Sequence, residues 1–249
     1  MPHHLIRKLE HFTKLSCDDR QILGAVASKR RTFAEHSDII EEGNDPSHVN
    51  LILEGWACRY KQLDDGRRQI ISFFVPGDLC DTHIYILREM DHSIAALTPV
   101  KVAEISRASL DRLMDEHSRV TKALWWDSLV GVAIQREWTV NLGQRTAIER
   151  LGHLFCELFL RLRGVGLTEG DSCALPLTQM ELADALGLSN VHINRTLQEL
   201  RRAGLIVLKG GCLTIPDLAA LQKASLFNPN YLHLDREGRN LDANEPASD

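Results

Sequence analysis

The chain has 249 residues, 44% apolar and 25% charged, the balance of a globular protein with one large domain or two smaller ones. Its formal net charge of −5 lacks the basic excess usual in nucleic-acid binders, and none of its six cysteines forms a CxxC pair, which argues against zinc, iron–sulfur and disulfide frameworks. The opening MPHHLIRKLEHF has charges where a secretory signal needs an apolar centre, and charge interrupts every apolar run before it reaches bilayer length. The expectation is a cytoplasmic protein with reduced thiols and no membrane contact.

Leu5, Ile6, Leu9, Phe12 and Leu15 fall at helical spacing, so residues 1 to about 28 are expected to be helical, with a second short helix after Ser16. From about Thr32 the pattern changes. Gly43, Gly55, Gly66 and Gly77 stand in turn-like settings, separated by short apolar and β-branched runs such as VNLILEG, ACRYKQL and QIISFFV. Short strands at such regular spacing predict an all-β sandwich or barrel.

After Ala108 the spacing predicts one long helix over 109–141. Val120, Leu124, Gly131, Ile134 and Trp138 lie on one side, with Trp126, Leu129, Val130, Ala133 and Val140 on an adjoining one. A helix apolar over so much of its circumference needs cover on more than one side. The reading is a dimer helix packed on its own β-domain and on a second copy, with Val120, Leu124, Trp126, Val130, Ile134 and Trp138 at the interface. A helix merely buried within a monomer is the alternative. Asn141-Leu142-Gly143 is expected to end it, and a scaffold helix should follow over Arg145–Arg163.

The segment Pro176–Pro216 reads as helix, tight turn, second helix and hairpin. Thr178 and Glu181 have the spacing of a capping box, Gly187 suits a sharp helix-ending turn, and Ser189 caps a second helix. In that helix Ile193, Leu197 and Leu200 should face inward, leaving Asn190, Val191, Asn194, Arg195 and Gln198 outside. Amides and a guanidinium on an exposed helix pair bidentately with adenine and guanine edges. The pattern predicts a winged helix-turn-helix on double-stranded DNA, through Thr178, Gln179, Ser189, Asn190, Val191, His192, Asn194, Arg195, Gln198 and Lys209. From Asn190 to Lys209, three arginines and one lysine face only Glu199, so charge near the phosphates is locally positive. A short helix, DLAALQKAS, should close the fold, and the polar stretch from about Asn228 is expected to be disordered.

These segments make an α+β chain: a jelly-roll sensor domain with N-terminal helices (1–108), a dimerisation helix (109–142), a winged helix-turn-helix (143–227) and a tail (228–249). Over roughly residues 10–224 this order resembles the Crp/Fnr family of bacterial transcription regulators, most specifically in ELADALGLSNVHINRTLQELRRAGLI and the wing after it. The resemblance implies a homodimer on a palindromic site, with helix 189–202 in the major groove and RNA polymerase as a further partner. It also implies that Arg195 reads a guanine and that Thr178 and Gln179 touch phosphate. Val191 stands where many members have a glutamate that accepts from cytosine; valine cannot accept, but it can touch a thymine methyl.

The sensor half departs from the family. Cyclic-nucleotide-binding members use a Gly-Glu pair for the ribose and an Arg-Ser or Arg-Thr pair for the phosphate. Here Asp81 falls near the glutamate position, His92 replaces the arginine before Ser93, and Arg88 is off register. Asp81, Arg88, His92 and Ser93 are thus the candidate effector pocket, poorly suited to cAMP because imidazole lacks the bidentate grip of arginine. The oxygen-sensing branch needs an N-terminal cysteine cluster, and only Cys17 is present there. No cofactor is identified. His36, His48, His83 and His92 are expected to be solvated or hydrogen-bonded rather than haem or metal ligands. With no HxH triplet, nucleophile motif or Gly-rich phosphate loop, an enzyme is not expected. The rival is a ligand-binding or protein-interaction module.

Overall fold

The computed structural model describes residues 3–80 and 88–243. Helices α1 (His3–Leu9) and α2 (Cys17–Val26) precede strands β1 (Arg30–Phe33), β2 (Asp38–Ile40), β3 (His48–Glu54), β4 (Ala57–Gln62), β5 (Arg68–Phe74), β6 (Leu79–Cys80), β7 (Ser93–Ala96) and β8 (Val100–Ser106). These strands form two antiparallel sheets, ordered β1-β8-β3-β6 and β2-β7-β4-β5. Side chains alternate between sheet faces, so Ala57, Phe74, Ile94 and Ala96 of the second sheet join Val49, Leu51 and Val102 of the first in one core. The opposite face of the second sheet is apolar too. Its Cys58, Ile70, Phe73 and Ala95 belong to a different core that runs on through the helices into the C-terminal half. The run QIISFFV is apolar on both faces because both are covered.

Helix α3 (Arg107–Glu116) is followed by α4 (Ser118–Gln144) and α5 (Ala147–Gly164). The single helix expected over 109–141 is therefore two. The break falls at His117, whose backbone (φ −122°, ψ 75°) leaves the helical region, with Thr121 Oγ1 donating to the carbonyls of Met114 and His117. No glycine or proline marks it. Helix α4 also continues through Asn141-Leu142-Gly143 to Gln144; α5 starts at a capping box of Thr146 and Glu149.

The assignment of Val120, Leu124, Trp126, Val130, Ile134 and Trp138 to a dimer seam is corrected by their burial. All six are between 0 and 8% exposed within the single chain, packed against its own β-sheets and α5. The side of α4 left open carries Trp125 (54% exposed), Leu129 (66%), Val132 (50%) and Val140 (46%).

Beyond α5, β9 (Thr168–Glu169), β10 (Ser172–Ala174), α6 (Gln179–Leu186), α7 (Asn190–Arg202), β11 (Val207–Lys209), β12 (Cys212–Thr214) and α8 (Leu218–Ala224) follow. Their four strands make one small sheet, β11-β12-β10-β9. The expected disorder after Asn228 is not found through residue 243. Tyr231 and Leu232 are buried in the same core as α4 and α5, and a 3-10 turn covers Pro229–Leu232.

Candidate nucleic-acid interface

Helix α7 stands where it does because its two ends and its inner face are each specified. Thr178 Oγ1 accepts from the Glu181 amide at 3.2 Å while Glu181 Oε2 accepts from the Thr178 amide at 2.6 Å, closing the capping box of α6. Gly187 then takes φ 61°, ψ 38°, a left-handed conformation that L residues avoid, and turns the chain sharply. Ser189 Oγ accepts from the His192 amide at 3.3 Å and starts α7. Ile193, Thr196, Leu197 and Leu200 are buried, which fixes the rotation of the helix about its axis.

The residues left outside are those assigned to DNA from the sequence. Ser189, Asn190, Val191, His192, Asn194, Arg195 and Gln198 are all exposed, Val191 by 80%. They form a connected polar ladder: Asn194 Nδ2 donates to Gln179 Oε1 at 3.4 Å, Gln198 Nε2 to Asn194 Oδ1 at 2.9 Å, and Arg202 Nη2 to Gln198 Oε1 at 3.5 Å. Gln179, at the start of α6, thereby joins the α7 face, and Thr178 is exposed next to it. The Arg195 guanidinium lies 3.9 Å from Glu199, a contact between exposed groups that is easily exchanged for another acceptor. Lys209 is exposed at the end of β11, and Arg201 Nη2 ties α7 to this wing by donating to the Leu208 carbonyl at 3.0 Å. Met180, next to Gln179 in α6, is 60% exposed and was not singled out by its side-chain chemistry.

The sensor residues are less united. Asp81 and His83 lie outside the described residues. Arg88 is exposed, whereas His92 and Ser93 are buried at the start of β7. His92 Nε2 accepts from Arg59 Nε at 3.1 Å, which leaves the ring proton on Nδ1, 2.6 Å from Asp91 Oδ1. Hydrogen bonding to His92 holds the Asp91 carboxyl below its ordinary range. Ser93 Oγ accepts from the Glu42 amide at 2.9 Å. Arg59 escaped the sequence reading because strand alternation alone does not tell which β4 side chain meets β7; its guanidinium lies over the Phe74 ring at 5.1 Å. His36 is exposed, and His48 Nδ1 lies 2.9 Å from Ser47 Oγ.

A cavity of about 620 Å³ opens between the second sheet, α4, α5 and α1, lined by Arg59, Ser72, Phe74, Leu79, Trp126, Val130, Ile134, Gln135 and Arg161 among others. Among the described residues singled out for an effector, Arg88, His92 and Ser93 do not line it. Beside it lies a buried ionic cluster: Lys8 bridges Asp78 (2.7 Å) and Asp127 (2.6 Å), and Arg161 bridges Asp78 (2.8 Å) and Glu157 (3.3 Å). Burial pushes the Asp78 carboxyl up, but Lys8 and Arg161 outweigh it and hold the group below its ordinary range; burial prevails at Asp127 and Glu157, both raised. Among the described residues, no helix is long and apolar enough to cross a membrane.

Residues 149–224 match the family described as "Crp-like helix-turn-helix domain", and residues 30–117 match "Cyclic nucleotide-binding domain". The chain is 27% identical over 197 residues to the nitrogen fixation regulation protein FixK of Bradyrhizobium diazoefficiens, covering 78% of this chain and 81% of that protein. It is 26% identical over 198 residues to the transcriptional activator protein FnrL of Cereibacter sphaeroides, covering 78% and 79%. In structure it is similar to FixK2 from Bradyrhizobium japonicum, with a TM-score of 0.71 at 24% identity over 79% of this chain and 96% of that one.

Proposed function

The chain belongs to the Crp/Fnr family of transcription regulators, whose members bind DNA through a helix-turn-helix and are not enzymes, and from that premise we propose that it acts as a homodimer on a palindromic operator. Each α7 enters a major groove, with half-sites about one helical turn apart. The observation that carries this reading is the face of α7: Asn190, Asn194, Arg195 and Gln198 exposed together while the opposite side is locked into the core. Arg195 is the base reader, Val191 meets a thymine methyl, and Thr178, Gln179 and Lys209 contact phosphate. The second copy covers Trp125, Leu129, Val132 and Val140, the apolar side of α4 that the chain itself leaves open. RNA polymerase is the protein partner in transcription.

In this reading an effector other than cAMP occupies the cavity between the second sheet and α4, and acts by favouring one arrangement of the two halves over another. His92 is already engaged by Arg59 and Asp91, which supports a ligand other than a nucleotide phosphate at that position. The test is in vitro selection of bound DNA with the intact protein, repeated with Arg195→Ala. The variant is expected to lose about 1–3 kcal/mol at the selected operator and to relax preference at one base pair per half-site. Equal weakening on every sequence would make Arg195 a phosphate contact instead.

A further inference from the structure

The segment after α8 crosses the molecule. Residues 226–243 lie beyond the helix-turn-helix match, which ends at 224. Their near end grips the joint between α4 and α5. Phe227 and Tyr231 pack on the His153 ring at 4.8 and 5.8 Å between centroids, and the Tyr231 hydroxyl donates to Glu157 Oε2 at 3.0 Å. Glu157 in turn accepts from Trp138 Nε1 of α4 at 3.1 Å, and Arg145 Nη2, at the joint itself, donates to the Leu226 carbonyl at 3.3 Å. Their far end is fastened to the link between α1 and α2. The Gly238 amide donates to the Phe12 carbonyl at 3.0 Å and the Ala243 amide to the Lys14 carbonyl at 3.1 Å. Asp242 Oδ1 accepts from the Lys14 amide at 2.7 Å and from Thr13 Oγ1 at 3.2 Å, while Arg119 Nε of α4 donates to the Leu241 carbonyl at 2.7 Å.

Two features show that these contacts, rather than local preference, hold the segment in place. Arg236 adopts φ 52°, the left-handed region that costs a non-glycine residue energy, in a stretch between the two anchors; Leu226 and His233 adopt φ near 50° where a helix ends. Gly238 lies so close to Phe12 that a Cβ there would meet the ring at 2.4 Å. The joint that the segment spans is poorly satisfied by itself. Asn141 Oδ1, Arg145 Nη1 and both ring nitrogens of His153 are buried without a hydrogen-bond partner. The joint has directed bonds of its own, Arg145 Nη2 to Glu137 Oε1 at 2.6 Å, Arg150 Nε to the Arg145 carbonyl at 2.8 Å and Trp138 Nε1 to Glu157 Oε2 at 3.1 Å, and the segment adds to them from outside, beside the polar atoms they leave unsatisfied.

We propose that residues 226–243 form a strap that sets the orientation of the winged helix relative to the β-roll and α4. In the dimer proposed above, on which this inference rests, that orientation fixes the separation of the two recognition helices. Direct contacts between the halves, Arg68 to Asp184 at 2.9 Å and Gln69 Nε2 to the Ala185 carbonyl at 3.1 Å, are then stabilised by the strap. A loosened strap leaves each winged helix able to read its half-site, but lowers the effective concentration of the second helix at the second half-site.

The test loosens the far anchor from either side, in the full chain, with Asp242→Ala and separately Thr13→Val. Neither residue lies on the α7 face or on the open side of α4. Amide hydrogen exchange should quicken by about tenfold at residues 238–243 and also at the distant 68–70 and 183–187, where the two halves touch. Affinity for the selected palindrome should fall by about tenfold with single half-site affinity unchanged, and a palindrome lengthened by one base pair should be discriminated against less. Faster exchange confined to 238–243 with unchanged palindrome affinity would overturn the proposal. So would tighter palindrome binding, since the strap would then hold the winged helix away from the DNA-binding arrangement. If the unmodified protein bound neither palindrome nor half-site, the DNA reading would fail, while exchange at 68–70 and 183–187 would still judge the strap.

Discussion

In α7 the buried positions Ile193, Thr196, Leu197 and Leu200 make one narrow stripe, and amides and guanidinium groups occupy most of the remainder. In α4 ten residues are buried, yet Trp125, Leu129, Val132 and Val140 stand outside as well. The two helices therefore present different kinds of free surface. That of α7 can satisfy polar base edges without losing anything in the unbound state, because water solvates it meanwhile. That of α4 gains only when another apolar surface removes it from water. Substitutions on the inner side of α4 should therefore cost folding, those on its outer side assembly, and those on the outer side of α7 recognition alone.

The sharpest way to break this division is to compare the two sides of α4. Trp138→Ala removes a buried ring that packs edge-on against Phe73 and donates to Glu157, and it should lower unfolding free energy by about 3–5 kcal/mol. Leu129→Glu, on the open side, should shift folding by no more than about 0.5 kcal/mol when denaturant unfolding is followed in the monomer. It should nevertheless convert the dimer to a monomer in sedimentation and remove preference for a palindrome over a half-site. If Leu129→Glu destabilised the monomer as much as Trp138→Ala does, α4 would have no free side.

A smaller effect tests the joint where α4 meets α5. Burial, assisted by the nearby Arg145 charge, depresses His153 from 6.5 to about 3. Glu137 Oε1 lies 3.3 Å from Nε2 but is paired with Arg145 at 2.6 Å. The folded chain thus keeps this ring neutral while the unfolded chain takes up a proton below its ordinary pKa. The stabilising contribution is complete above pH 6.5 and is lost as pH falls from there toward 3. Between pH 7 and pH 5 it should remove about 2 kcal/mol of unfolding free energy. His153→Phe should flatten that part of the pH profile while retaining the ring contacts with Phe227 and Tyr231; an unchanged slope would assign the acid sensitivity to other groups.

The contrast between the helices also explains what could be read without coordinates. The α7 face was legible because one stripe of apolar residues has one possible orientation toward a core, and because Thr178, Gly187 and Ser189 each announce a boundary through local chemistry. The jelly-roll was legible from its turn spacing. The faces of α4 were not. When Trp126, Leu129, Val130 and Val132 are all apolar, periodicity says that the helix is covered on several sides, but not which cover comes from the same chain. Likewise His117 breaks the helix through its packing context and not through a residue that disfavours helix. The strap was missed because Tyr231 and Gly238 act at long range, on Glu157 and Phe12, within a stretch whose average composition is polar.

The smallest expected effect examines whether the α7 face depends on its cap as much as on its buried stripe. Ser189 Oγ holds the His192 amide, and the first turn it secures carries Asn190 and Val191, whereas Arg195 lies a turn further in and is flanked by buried Ile193, Thr196 and Leu197. Ser189→Ala should cost about 1 kcal/mol of thermal stability, and Ser189→Asn, which restores an accepting oxygen, should recover most of it. Fraying of that turn should weaken discrimination at the bases read by Asn190 and Val191 and leave the Arg195 position intact. Selection on DNA with Ser189→Ala would register this as loss of preference at one edge of each half-site. Loss at the Arg195 position instead would mean that the cap, rather than the buried stripe, sets the rotation of the whole helix.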